Sequence, residues 1–137
     1  MEQLIGHWIL QSKENFHEFL KVFGIGIIAR NLAAALPNGH MTITKIDEMK
    51  YRIQNTNGFR NSDRVIELGA MMEGYEINGS VLIGKWEVEE DGKMCGHFRF
   101  DGQSEEIFFI TREIIDEKLV QKMSFKGCTT KYIFIKS

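Results

Sequence analysis

Leu82-Ile83-Gly84-Lys85-Trp86-Glu87-Val88-Glu89-Glu90-Asp91-Gly92-Lys93-Met94-Cys95-Gly96-His97-Phe98-Arg99-Phe100 is the stretch that decides the fold. Leu82, Trp86 and Val88 share one face of an alternating segment, and Met94, Phe98 and Phe100 share one face of the next. Between them Asp91-Gly92 supplies residues tolerant of positive φ, the signature of a hairpin between two half-buried strands. The same period of two runs outward in both directions. Asn78-Gly79 and Asp101-Gly102 are equally strong turn signals, with Asp116-Glu117 and Lys126-Gly127 weaker ones. Phe108, Ile110 and Ile114 share a face, as do Leu119, Met123 and Phe125. Upstream, Met41-Thr42-Ile43 opens a strand, Met49, Tyr51 and Ile53 alternate against Lys50, Arg52 and Gln54, and Leu4 to Leu10 forms a first strand around Trp8. The spacing predicts about ten strands in one domain, residues 1–137, with no linker or repeat. A sheet that recruits no further helix must cover its own edges, most simply by closing into an antiparallel up-and-down barrel.

Helical periodicity occurs only near the start. Asn15 is placed to cap a helix, with Glu18 three positions on, and Phe16, Phe19, Leu20 and Phe23 lie on one face. Gly24-Ile25-Gly26 interrupts, and Ile27 to Leu36 reads as a second helix that Pro37 and Gly39 end. A helix pair over about 15–36 therefore caps the barrel.

Composition narrows the function. Seventeen basic and nineteen acidic residues give a formal charge of −2, which offers no electrostatic reason to expect nucleic acid as a partner. No apolar run reaches the roughly 18–20 residues of a membrane span, and Met1-Glu2-Gln3 does not open a signal peptide, so a cytoplasmic location is expected. Cys95 and Cys128 are expected to be reduced thiols. His7, His17, His40 and His97 lack metal-ligand spacing and no nucleophile elbow is present, so no metal, cofactor or enzymatic activity is expected. Gly24-Ile25-Gly26-Ile27-Ile28-Ala29 fits a dinucleotide fingerprint, but that motif needs a preceding strand where a helix is expected.

Two polar residues fall on faces that are otherwise apolar. Arg112 shares its face with Phe108, Ile110 and Ile114, and Gln121 lies between Leu119 and Met123. A buried guanidinium needs a carboxylate, ordered water or an anionic ligand. Ile107 and Phe109 make the Arg112 strand apolar on both sides, so a one-residue slip, with Arg112 outside, stays open.

Several motifs in order resemble the intracellular fatty-acid-binding proteins, the cytosolic lipid-binding branch of the calycin superfamily. They are Gly6-x-Trp8-x-Leu10 followed by Asn15-Phe16, Gly24-Ile25-Gly26, Ala29-Arg30, Phe59-Arg60-Asn61, Glu67-Leu68-Gly69, Asn78-Gly79, Asp101-Gly102-Gln103 and Arg112-Glu113. The resemblance implies a ten-stranded flattened barrel capped by a helix-turn-helix, carrying long-chain fatty acids or similar hydrophobic molecules non-covalently. It implies a head-group site of Arg112, Gln121 and Tyr132, and tail or portal positions at Phe16, Phe19, Leu20, Phe59, Ile110, Met123 and Phe134. Phe16, Phe19, Leu20 and Phe59 could equally serve only to anchor the helices. The family's closing Arg-x-Tyr-x-Lys is absent. An ungapped match puts Tyr132 and Phe134 in place of its arginine and tyrosine, and a gapped one puts Thr130 and Tyr132 there. Both lose the second arginine, so a weaker preference for carboxylate over alcohol or neutral lipid than in typical members of the family is expected. The resemblance also implies a monomer, and Lys13, Lys21 and Arg30 are compatible with transient membrane contact through the helix pair. The alternatives are a binder of neutral or retinoid-like lipid, and a barrel with a filled interior serving as a protein-interaction module.

Overall fold

A computed structural model of the chain describes residues 1–22, 39–56, 61–77 (backbone only for 75–77) and 80–137. After a short 3-10 turn at Glu2–Leu4 come β1 (Gly6–Glu14) and α1 (Phe16–Val22). The remaining strands are β2 (His40–Lys45), β3 (Lys50–Thr56), β4 (Ser62–Glu67), β5 (Met72–Ile77), β6 (Ser80–Val88), β7 (Met94–Phe100), β8 (Phe108–Ile115), β9 (Lys118–Phe125) and β10 (Cys128–Lys136). The expected second helix, the Gly24-Ile25-Gly26 interruption and the Asn78-Gly79 turn lie outside the described residues.

All ten strands join one antiparallel sheet in the order β4-β3-β2-β1-β10-β9-β8-β7-β6-β5. Sequential neighbours pair except β4 and β5, β1 pairs with β10, and the result is a nearly closed barrel with one seam between β4 and β5. Closure leaves few unpaired strand edges, as the long run of strands requires.

Among the described residues, the two-residue turns are the ones with the weaker sequence signals. Ile115 pairs with Lys118, and Phe125 with Cys128, so Asp116-Glu117 and Lys126-Gly127 are two-residue turns. Asp116, Glu117, Lys126 and Gly127 all have φ between 50° and 77°, as a type I′ turn demands. Asp91-Gly92 and Asp101-Gly102 sit instead in longer connections, the second running to β8 at Phe108. The ladder decides turn length here, because each strand must end where its partner's inward pattern ends. Glu117 at φ 66° carries the cost of a left-handed residue with a Cβ. Glu117→Gly is expected to raise stability by about 0.5–1 kcal/mol in urea unfolding, and a loss of stability would show that no strain resides there.

Asn15 precedes α1 with φ 57°, and its carbonyl accepts the Phe19 N–H (3.2 Å). Its side-chain amide donates to the Thr129 carbonyl on β10 (2.9 Å), tying the helix start to the barrel. Phe19 and Leu20 are buried beneath α1. Met49, expected inside with Tyr51, is 50% exposed in the turn before β3, where its N–H bonds the Asp47 carboxylate.

Both cysteines are free, Cys95 buried and Cys128 half-buried. Burial, then the hydrogen bond from Sγ to Glu89 Oε1 (3.4 Å), pushes the Cys95 thiol up to about 11. Its alkylation by iodoacetamide at pH 8 is expected to be about a hundredfold slower than that of a free cysteine, read by mass spectrometry. Rapid labelling would mean that the cover over Cys95 opens readily.

Candidate functional site

The register sorts the inward side chains into layers, since residues directly opposite across an antiparallel pair share a face. One row holds Phe98, Phe108 and Phe125, followed on β10 by Cys128. The next holds Trp86, Gly96, Ile110, Met123 and Thr130. The third runs Val88, Met94, Arg112, Gln121, Tyr132, Lys13. The fourth, Ile114, Leu119, Phe134 and Leu10, is apolar again. A polar row thus crosses the mostly apolar inner face built from β6 to β10 and β1.

Arg112 is 3% exposed and Gln121 6%. The inward register of β8 holds, with Phe109 on the outer face packed against His97. Arg112 Nε donates to Gln121 Oε1 (2.8 Å), and Nη1 approaches Met94 Sδ (3.8 Å). Its Cζ lies 5.1 Å from the centre of the Trp86 ring, within cation–π range. A Cβ on Gly96 would come within 2.9 Å of Trp86 Cε3, so glycine there leaves room for the indole. Tyr132 meets the Phe16 ring edge-on at 5.7 Å and Phe134 at 6.4 Å. Burial raises its pKa, which keeps the phenol neutral and able to donate to an anion. Lys13 Nζ lies 4.2 Å from the Phe16 ring centre, and burial lowers its pKa.

A hollow of about 50 Å³ borders this row, lined by Arg112, Trp86, Ile53, Ile66, Gly74, Asn55, Ser62 and Arg64. That volume suits a small polar group, a water occupying about 30 Å³. A wider open groove of about 470 Å³ lies by Ser80, Phe100, Gln103 and Lys126, away from every expected site residue.

No family model matches the chain. The intestinal fatty acid-binding protein of Rattus norvegicus is 32% identical over 131 residues, 96% of each chain. The human one is 33% identical over 129 residues, 94% of this chain and 95% of its own. The chain belongs to the fatty-acid-binding protein family. Among solved structures, apo lipid binding protein 8 of Caenorhabditis elegans superposes with a TM-score of 0.85 at 21% identity, covering 100% of this chain and 97% of its own. The REP1-NXSQ fatty acid transporter does so with a TM-score of 0.84 at 23% identity, covering 100% and 98%. Both show the shared barrel.

For a member of this family, the residues expected at the site fall as follows. Arg112, Gln121 and Tyr132 form one continuous row; Ile110 and Met123 lie one row to one side, and Phe134 one row to the other. Phe16 reaches Tyr132 from α1, whereas Phe19 and Leu20 are buried under the helix. Phe59 lies outside the described residues. Thr130, Tyr132 and Phe134 all belong to inward rows, and Thr130 is engaged by its hydroxyl with the Glu14 carbonyl (2.7 Å). Lys131 faces outward opposite Lys122 and Glu14, so it does not stand in for the missing arginine. Arg64 and Trp86 were not expected at the site. Trp86 could have been placed there, since its face was legible beside Leu82 and Val88; Arg64 stands in a strand without clean alternation.

Proposed function

We propose that this barrel binds a long-chain fatty acid, or a hydrophobic molecule of similar shape, non-covalently and carries it through the cytoplasm as a monomer without catalysing a reaction. The polar row between apolar rows of the inner face carries the reading. Arg112 and Gln121 face the carboxylate, with the neutral Tyr132 phenol as a further donor. The chain packs along Ile110 and Met123 toward Phe16, and Phe134 lies on the other side of the head group.

The tail dominates affinity in this arrangement. Burial contributes about 0.8 kcal/mol per methylene, on the order of 11 kcal/mol for a sixteen-carbon chain, less several kcal/mol for ordering and lost translation. A charge-assisted bond from Arg112 adds about 1.5–3 kcal/mol. The apolar rows set how tightly a ligand is held, and the polar row sets which end points inward. The test is native mass spectrometry of the protein as purified from cells, then organic extraction and palmitate titration of the delipidated protein. A co-purified lipid, or micromolar binding of palmitate, is expected. Failure to retain or bind any hydrophobic ligand would end the carrier reading in favour of a filled, protein-interacting barrel.

A further inference from the structure

Arg64 carries the strongest signal that the head-group reading leaves unused. It sits on β4 opposite Ile53, with Ser62 opposite Asn55 and Ile66 opposite Tyr51. Ile53, Ile66 and Tyr51 are all buried, so this face of β4 points into the barrel. Its neighbours Asp63 and Val65 face out, where Arg52 Nε donates to Asp63 Oδ1 (2.8 Å) and holds the register. Arg64 and Arg112, from opposite parts of the sheet order, line the same hollow of about 50 Å³. Arg64 Nη1 also reaches the Glu73 carbonyl on β5 (3.5 Å), across the seam that no ladder closes.

We propose that Arg64 is a second head-group residue, so that a single carboxylate sits between the Arg64 and Arg112 guanidiniums. This rests on the carrier reading and adds to it a second cation, from β4, that strengthens the preference for a carboxylate over an alcohol or ester. An arginine does not deprotonate in a protein, so two guanidiniums bordering one small space make it favourable for an anion. Each presents a planar fork matched to carboxylate oxygens. Asn55 and Ser62 add neutral polar groups to the lining. The second cation that the last strand lacks is thus supplied from the fourth, and the preference for carboxylate should be strong rather than weak.

Palmitate and hexadecanol, titrated into delipidated wild type, Arg64→Gln, Arg64→Met, Arg112→Met and Arg112→Met/Tyr132→Phe, separate the roles. The two Arg64 variants are expected to weaken palmitate by about tenfold to a hundredfold, the range of one charge-assisted hydrogen bond. Hexadecanol binding should stay within about threefold of wild type, because it makes no charge-assisted contact. Arg112→Met, and Arg112→Met/Tyr132→Phe in which the phenol donor is also gone, should each retain at least about a tenfold preference for palmitate, supplied by Arg64; the double variant decides the matter even if neither Arg64 variant folds. Equal weakening of both ligands would make Arg64 a strap across the seam and overturn the proposal. Unchanged palmitate affinity, or no residual preference in Arg112→Met or in the double variant, would overturn it as well. A wild type that binds neither ligand overturns the carrier reading itself, an outcome distinct from the other three.

Discussion

Replacing Arg112 by leucine is expected to lower palmitate affinity by about 10- to 150-fold and leave hexadecanol within about threefold, since one charge-assisted contact is worth about 1.5–3 kcal/mol. The substitution also acts on the empty protein. Arg112 Nε is a donor to Gln121 Oε1 at a site where Gln121 is 6% exposed. Removing it leaves that buried amide oxygen short of a partner, at a cost of about 1–3 kcal/mol of stability. Replacing both partners by apolar groups removes that cost, so Arg112→Leu/Gln121→Leu is expected to unfold at higher denaturant than Arg112→Leu alone while remaining defective toward palmitate. The single and double variants, compared by urea unfolding and by titration with the two ligands, check both halves. Equal losses for palmitate and hexadecanol would show that Arg112 shapes the barrel instead of meeting the head group.

Phe98→Ala is expected to produce the largest loss of stability, about 3–5 kcal/mol, or about 10–20 °C in Tm for a domain of this size. The ring is fully buried. It meets Trp86 edge-on at 5.6 Å and Phe108 at 6.0 Å. It lies so close over β5 and β6 that a Cβ on Gly74 or Gly84 would come within 2.5 or 2.6 Å of it. A residue this tightly surrounded leaves a cavity that the backbone of three paired strands cannot collapse to fill. Its loss also frees the Trp86 indole that lies over Arg112, so head-group selectivity is expected to drop along with stability. Phe98→Leu should lose less than half as much, because most of the volume is kept. A loss below about 1 kcal/mol for Phe98→Ala would mean that the aromatic row is loosely packed and yields readily.

The arrangement of strands was legible because alternation is a local property. Trp86 beside Leu82 and Val88, or Phe98 beside Met94 and Phe100, requires only that successive side chains point to opposite faces. Gln121 was legible for the same reason, flanked at i±2 by Leu119 and Met123, whereas Arg112 was assigned only to a face, since Ile107 and Phe109 left a one-residue slip open. The turns were less so. Asp91-Gly92 and Asp101-Gly102 carry the favoured residues yet sit in longer connections, whereas Asp116-Glu117 makes a two-residue turn without glycine. Turn residues report what a chain tolerates; the pairing of Ile115 with Lys118 dictates where it must reverse.

The sequence alone pointed to an antiparallel barrel and set a guanidinium and an amide on otherwise apolar strand faces, because a period of two assigns residues to common faces. Which face turns inward, when neither is clearly apolar, only the tertiary structure decided. Ser62-Asp63-Arg64-Val65-Ile66 is the case in point: Val65 would suggest one phase, and Ile66 the other. Pairing with β3 places Arg64 opposite Ile53 and leaves Val65 54% exposed. Lys13 likewise enters the polar row only after the register of β1 against β10 shifts between Leu10 and Ser12. Both placements are set by the partner strand, β3 for Arg64 and the distant β10 for Lys13, and no pattern within the strand itself encodes them.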